Sequence, residues 1–440
     1  MIAPPKQGRK HHKIHSGNPD MTTSREKLLA LMDAALKAAD PGVQIPRNMP
    51  SPPKGKTIVI GAGKASANMA RAFEQEWKGD LEGLVVTRYG HAVPCEKIEI
   101  VEASHPVPDA AGEEAAKRIL EIVQSAGPDD LVVCMISGGG SALLALPGPG
   151  LTLDDKQSIN KALLRSGATI SEMNCVRKHL SAIKGGRLAK AAAPARMITY
   201  LVSDVPGDDP AIIASGPTVA DPTSGQDALD IIRHYQIDIP EAAEKLLRSA
   251  DDETVKPDDP CFDGHETVML SRPQDSLEAA AEVARKMGLT PVILGDAIEG
   301  ESREIAIMHA GIAHQVANHG QPVAKPCVLL SGGETTVTVR SKGGRGGRNS
   351  EFLLSLLIQL RDQPGFSAIA IDTDGIDGSE DNAGAIMDGT SWQKAQKAGV
   401  DLRQYLANND AYSAFARIDD LIITGPTLTN VNDFRAILIE

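Results

Sequence analysis

Aromatic residues are scarce in this chain: two Trp, five Tyr and six Phe make up 3% of 440 residues. That leaves too few rings for the base-stacking platforms of single-strand nucleic-acid binders. Positive charge is also short. Lys and Arg number 45 against 58 Asp and Glu, a net charge of -13, which excludes a general phosphate-backbone binder and confines any polyanion to a local pocket. The five cysteines, Cys95, Cys134, Cys175, Cys261 and Cys327, form no C-x-x-C pair, and an odd count cannot complete a disulfide framework. A reducing compartment, the cytoplasm, fits best. No apolar run approaches the roughly 18 residues that a bilayer span needs, and the N-terminus lacks a secretory apolar core. Neither nucleic acid nor membrane is an expected partner.

What is present is an ordinary globular composition, 42% apolar and 23% charged. The chain is too long for one core, and at roughly 100–200 residues per domain two α/β domains are the default. Residues 1–21 carry Pro, Gly, Lys and the histidines His11, His12 and His15 without periodicity, and read as a flexible tail. Helical spacing starts near Thr22, with Ser24 as the capping residue. From Thr57 onward, short apolar runs such as TIVIGAG, GLVVT and LVVCMI alternate with longer helical patterns. That rhythm predicts βαβ units and parallel sheets covered on both faces. An Asp- and Pro-rich stretch between about 250 and 265 reads as a linker, dividing a first domain at 22–255 from a second at 265–440.

Ligands of open parallel sheets bind beyond the carboxyl ends of the strands, so the loops there are the candidates. Gly61 and Gly63 flank a tight turn with Lys64 at the mouth of a helix, an anion site in outline. Ser137, Gly138, Gly139, Gly140 and Ser141 form a glycine run suited to close backbone approach to a phosphate. Asp204 ends a buried strand and can accept a hydroxyl proton or hold a cation, while Asp208 and Asp209 read as turn residues. Arg348 closes a Gly- and Arg-rich loop ahead of an apolar helix, a clamp for anions. Asp374 and Asp377 lie in a Gly-rich acidic turn able to bind a hard cation. Arg177 and Lys184, seven apart, share a face if helical, and His105 lies in another strand-end loop.

Together the segments GAGKAS, SHPVPD, ISGGGSALL, NCVRKHLSAIKGGRLA, VSDVPGDDPAIIASGPT, LSGGETTV, GGRNSEF, DTDGIDG and TGPTLTNVND resemble the class II glycerate 2-kinases, in order, from the first helix to the C-terminus. The later part resembles that family's MOFRL domain. The resemblance implies a Rossmann-like N-terminal domain and a MOFRL-type C-terminal domain, each with a mainly parallel sheet, around an interdomain active site. It implies transfer of the ATP γ-phosphoryl group to the 2-hydroxyl of D-glycerate with Mg²⁺, giving 2-phosphoglycerate and ADP. Carried over, Lys64, Asp204 and Arg348 are the charged groups at the reacting centre. Gly61, Gly63, the 137–141 loop, His105, Arg177, Lys184, Gly332, Gly333 and Glu334 bind nucleotide or substrate, and Asp374 with Asp377 holds the metal. Ser350 departs from the pattern, which leads one to expect a larger polar residue. A homodimer is compatible with this reading. Because Lys64, Ser137 and Asp204 lie in one domain and Arg348 and Asp374 in the other, closure between the two is expected. Lys64→Ala is expected to leave the fold intact while lowering kcat.

The rival is an NAD(P)H-dependent hydroxypyruvate reductase, a label members of this family have carried. Ser66 replaces the third glycine of G-x-G-x-x-G, and the second strand ends in Thr87-Arg88 where NAD enzymes place an acid. Arg88 is compatible with the 2′-phosphate of NADPH.

Overall fold

The computed structural model describes residues 23–341 and 343–440. The expected tail with its three histidines falls outside the described residues. Thr23, one residue before the expected Ser24, is the N-cap of the helix Ser24–Ala38, in a reciprocal capping box with Glu26.

The first sheet runs β1 (Thr57–Ala62), β2 (Leu81–Arg88), β3 (Ile98–Ala103), β4 (Leu131–Ile136), β5 (Arg196–Val202) and β6 (Glu266–Ser271). Its order is β3-β2-β1-β4-β5-β6 and every pairing is parallel, the doubly wound arrangement expected. β1 and β4 are buried along their whole length because both faces are covered. Ile58, Ile60, Val132 and Cys134 face one core with the helix Ala110–Gln124, while Val59, Val133 and Met135 face another with the helix Ser66–Glu76.

The second sheet holds β7 (Thr290–Gly295), β9 (Cys327–Ser331), β11 (Phe366–Asp372), β12 (Gly384–Met387), β13 (Leu421–Ile422) and β14 (Asp433–Ile439); β8 (Gly300–Glu301) and β10 (Thr335–Thr336) pair separately. Its order is β13-β12-β11-β14-β9-β7. Only β7 and β9 run parallel; the other four pairings are antiparallel. The α/β class holds, but the mainly parallel second sheet expected from the sequence is corrected to a mixed one. β11 reads as a buried run because helices cover both faces, and burial alone does not encode strand direction.

The domain boundaries also shift. β6 lies beyond the expected linker yet pairs with β5 as the edge of the first sheet. Conversely, the helix Ser24–Ala38 packs on the second sheet, beside the helix Pro273–Lys286. Burying Leu28 and Leu31 there contributes about 1.5–3 kcal/mol each, and Arg25 forks onto Asp388 and Asp420 at 3.1 and 3.0 Å. From its first described helix the chain therefore passes from the second unit to the first and back.

Between β4 and β5 the chain leaves the sheet through the helices Leu153–Ser166, Ile170–His179 and Arg187–Ala192. The first two share an apolar cluster with the helices Gly225–His234 and Glu241–Arg248. This helical annex overhangs the carboxyl end of β4.

Candidate active site

β1 and β4 are neighbours whose following helices pack on opposite faces, which opens a crevice at their carboxyl ends. The two glycine loops meet there and interlock. Lys64 N donates to Gly138 O at 2.8 Å, Ala65 N donates to Ser137 Oγ at 3.0 Å, and the Ser66 and Ser137 hydroxyls are 3.1 Å apart. Gly63 is required because its φ is 150° and a Cβ would overlap Ser137. Ser137, fully buried, thus ties the loops together and is corrected from a ligand-binding side chain to a brace. Gly61 and Gly140 are likewise packed against the neighbouring backbone, at Met135 and at Ala62 respectively.

Lys64 reaches from the first unit to the second, its amine 2.8 Å from Asp374 Oδ2 with side chains only 15% and 2% exposed. Burial opposes its charge, but Asp374, Asp372 and Asp204 together hold its pKa above the ordinary lysine value. Asp374 also accepts from Ile376 N at 2.9 Å. Burial works to raise its pKa, yet Lys64 holds it below the usual carboxylate value. Burial and the neighbouring Asp374 charge push Asp372 well above that value.

Asp204 lies two residues beyond β5 and accepts from Asn430 Nδ2 at 2.9 Å, while Asn432 Nδ2 donates to the Asp204 carbonyl. A Cβ at Gly138 would overlap both the Asp204 carboxylate and the Asn430 amide, so only glycine lets this loop pass beneath them. Burial pushes Asp204 up to about 6, with Lys64 pulling the other way. Asn430 is 1% exposed and its Oδ1 has no hydrogen-bond partner among the described residues.

Arg348 opens the helix Arg348–Leu360 and forks onto three carboxylates: Asp433 at 2.6 Å, Asp372 at 2.9 Å and Glu334 at 2.8 Å. Asp433 and Asp372 are buried, but the Glu334 side chain is 47% exposed. Asp377 is fully buried and accepts from Asn349 N, Ser350 N and Ser350 Oγ at 2.9, 2.8 and 2.6 Å. It caps the helix that carries Arg348. Ser350 belongs to that cap, where its small side chain also sits close to Gly346.

The two residues of the expected metal pair have other partners in this structure. Asp377 spends its carboxylate on a helix terminus, Asp374 pairs with Lys64, and no group of three or more His, Cys, Asp or Glu among the described residues is arranged to hold an ion. Gly332 and Gly333 stay close to the backbone of Asp433 and Ile298 and shape the loop that presents Glu334.

A cavity of about 860 Å³ opens beside this centre, between the strand ends and the helical annex. It brings together His105, Gly139, Ser141, Arg177 and Lys184. Arg177 and Lys184 share it, but not on one helix face. The helix Ile170–His179 ends at its cap Leu180, before Lys184, and Gly185 and Gly186, with φ of 60° and 79° against Thr254 and Val255, turn the chain into the next helix. Burial, with Lys64 and Arg88 nearby, pushes His105 down to about 4, so its ring is neutral near pH 7. No helix among the described residues is long and apolar enough to cross a membrane.

Asn430, Asn432, Asp433 and Lys156 were not picked out by sequence reasoning, and Asp372 was read only as the first residue of the acidic Gly-rich turn. Asn430, Asn432 and Asp433 had a usable signal: NVND runs straight into the buried strand β14, and the three are only 1–3% exposed. Polar residues so buried need partners. Lys156 had none, being one of several charges in LDDKQSINK.

Comparison with known proteins agrees with this architecture. A domain family described as of unknown function, DUF4147, matches residues 27–248, and the MOFRL family matches residues 327–433. A putative hydroxypyruvate reductase of Agrobacterium vitis is 55% identical over 95% of each chain. The glycerate 2-kinase of Pyrococcus horikoshii is 40% identical over 93% of this chain and 96% of its own. The crystal structure of glycerate kinase from Thermotoga maritima superposes with a TM-score of 0.86 at 36% identity, covering 94% of this chain and 99% of that one. With the motifs in order, both units matched and the whole fold shared, this chain belongs to the MOFRL-containing glycerate 2-kinase family of enzymes.

Proposed function

We propose that this enzyme transfers the γ-phosphoryl group of ATP, taken up as MgATP, to the 2-hydroxyl of D-glycerate. The observation that carries the proposal is the convergence, from two units, of Lys64, Asp204 and Arg348 at the carboxyl ends of the strands. Phosphoryl transfer needs positioned positive charge and an acceptor for the hydroxyl proton. Asp204 supplies the acceptor: a pKa near 6 leaves it ionised at neutral pH yet basic enough to take a proton as the bond to phosphorus forms. The 2-oxygen of glycerate bonds to the γ-phosphorus, the bond from that phosphorus to the β,γ-bridging oxygen breaks, and the hydroxyl proton passes to Asp204. Lys64 faces the charge that spreads over the transferring oxygens. Arg348 is aimed by buried Asp433 and Asp372, and its third contact, half-exposed Glu334, is the one a substrate anion displaces. Asn430 Oδ1, buried without a donor, suits a glycerate hydroxyl.

Mg²⁺ enters this reading as part of the nucleotide substrate, since the carboxylates expected to hold it are engaged elsewhere. The reductase reading is less well supported. A dinucleotide would place its pyrophosphate on the amides after β1, and the Ser137 loop already occupies that corner. Regiochemistry is tested with enolase. Product consumed by enolase alone is 2-phosphoglycerate; a strict need for phosphoglycerate mutase identifies the 3-phosphate and overturns the assignment.

A further inference from the structure

β14 is an interior strand of the second sheet, and Arg435, Ile437 and Ile439 alternate onto one of its faces. Ile437 and Ile439 belong to the apolar core shared with the helix Arg348–Leu360. Arg435 holds a core position in the same row, its side chain fully buried. A charge so placed is costly unless it is paired. Small register partners, Ala370 on β11 and Ser331 on β9, leave it room. Its guanidinium then serves several places at once: Nη1 donates to Gly332 O at 3.1 Å, Nη2 donates to Thr335 Oγ1 at 3.0 Å and to Asp433 Oδ2, and the group lies 5.0 Å from the centroid of the Phe352 ring. Each of these places bears on Arg348. Gly332 and Thr335 flank the turn that presents Glu334 to it, and Phe352 lies one helical turn along from it. Asp433 is engaged at both oxygens: Oδ1 accepts from Arg348 Nε at 2.6 Å and Asn349 Nδ2 at 2.7 Å, Oδ2 from Arg435 and from Thr335 N at 3.2 Å.

We infer that Arg435 is a positioning residue for Arg348: it fixes Asp433 and the 332–335 turn, and through them the direction in which the Arg348 guanidinium points. The inference rests on the kinase reading for what Arg348 does and adds what holds it in place. Geometry favours it, because a carboxylate gripped by an arginine at each oxygen cannot turn, and Arg348 turns only if Asp433 does. Charge favours it as well. Arg348 faces three acids, Asp433, Asp372 and Glu334. With Asp433 shared between two arginines, Arg348 keeps positive charge to offer a substrate anion. Stability alone does not call for the arrangement: a buried ion pair is often replaced by well-packed apolar residues without loss, and Arg435 Nε has no hydrogen-bond partner among the described residues. Nor does lysine reproduce it, since a single ammonium cannot present a planar fork to Gly332, Thr335 and Asp433 together.

A double-mutant cycle tests this. Wild type, Arg435→Met, Arg348→Lys and the double variant are assayed with saturating MgATP and D-glycerate well below Tm, rates being taken per folded molecule. Arg435→Met alone is expected to lower kcat about ten- to a hundredfold. In the Arg348→Lys background the same change is expected to cost less than about twofold, because the aim it secures is already lost. Equal losses in both backgrounds would make Arg435 act independently of Arg348, and a lowered Tm with an unchanged rate would make it structural; either result overturns the inference. Arg435→Lys keeps a charge in the core and takes the place of Arg435→Met if that variant does not fold, with the same pattern expected at a smaller loss. A second readout needs no turnover. The Arg348 Nε–H, identified as the arginine side-chain NMR signal missing from Arg348→Lys, is expected to exchange with water at least about tenfold faster in Arg435→Lys than in wild type; an unchanged exchange rate overturns the inference. If wild type shows no glycerate-dependent turnover while the exchange result holds, the kinase reading falls and the positioning of Arg348 stands.

Discussion

Replacing Lys64 by Ala removes one half of a buried pair whose other half, Asp374, lies next to the equally buried Asp372. The sequence alone suggests that the fold tolerates this change; the structure says otherwise. Breaking a buried pair costs about 3–5 kcal/mol, and the 15% exposure of the lysine side chain points to the lower end. At roughly 2–4 °C per kcal/mol for domains of 150–250 residues, Tm falls by about 6–12 °C. The catalytic loss is separate: a charge donor aimed at a phosphoryl group in flight is worth about 10²–10³ in kcat. The two are separated by a companion variant, Lys64→Met with Asp374→Asn, which removes both charges. That variant is expected to recover most of the melting temperature and none of the rate, measured by coupled ADP release and differential scanning fluorimetry. If Lys64→Ala loses stability while its folded fraction turns over at the wild-type rate, or if the double variant regains rate along with stability, the amine has no part in the chemistry.

For Asp204, the folded pKa of about 6 stands above the ordinary carboxylate value of 3.8, so the native state binds the extra proton between those values and its stability falls as pH rises through that window. Asp204→Asn is therefore expected to raise stability at pH 8 by up to about 3 kcal/mol while cutting kcat by about 10² or more; the wild-type kcat/KM for glycerate falls below about pH 6 with a slope of one proton. A variant less stable than wild type at pH 8, or a flat acid limb, counts against the assignment. Arg348→Lys keeps the charge but cannot serve Asp433, Asp372 and Glu334 together, and is expected to lose at least about tenfold in kcat; retention of the wild-type rate would reduce Arg348 to a structural residue. Asp377→Asn weakens the cap of Arg348–Leu360 and is expected to cost about 1–2 kcal/mol while leaving the Mg²⁺ concentration for half-maximal rate within about twofold; a large rise in that concentration would restore Asp377 as a metal ligand.

The first sheet was legible because its strands are buried on both faces and read as continuous apolar runs, with glycine loops at the strand ends. The second was legible as strands and helices, but its pairing was not. Nothing in AIAIDTDG or ILIE records that β11 and β14 run antiparallel. Lys64, Asp204 and Arg348 stood out because a charged residue beside a buried strand or a glycine turn is costly without a purpose. Their partners did not. Asn430 and Asp433 acquire meaning only when β14 is placed beside β9 and β11, a contact made far along the chain. Asp377 misled for the opposite reason, because an acidic Gly turn looks alike whether it holds a cation or caps a helix. The division of groups between two domains was legible, but not that the sets already touch, Lys64 on Asp374 at 2.8 Å and Asn430 on Asp204 at 2.9 Å.

One side-by-side assay bears most directly on the central claim. The purified enzyme is given D-glycerate with MgATP in one cell and hydroxypyruvate with NADPH in the other, ADP and nicotinamide absorbance being followed in each. ADP release that depends on glycerate, with no NADPH oxidation, is the result expected. NADPH oxidation by hydroxypyruvate with no glycerate-dependent ADP would contradict it and return the chain to the reductases.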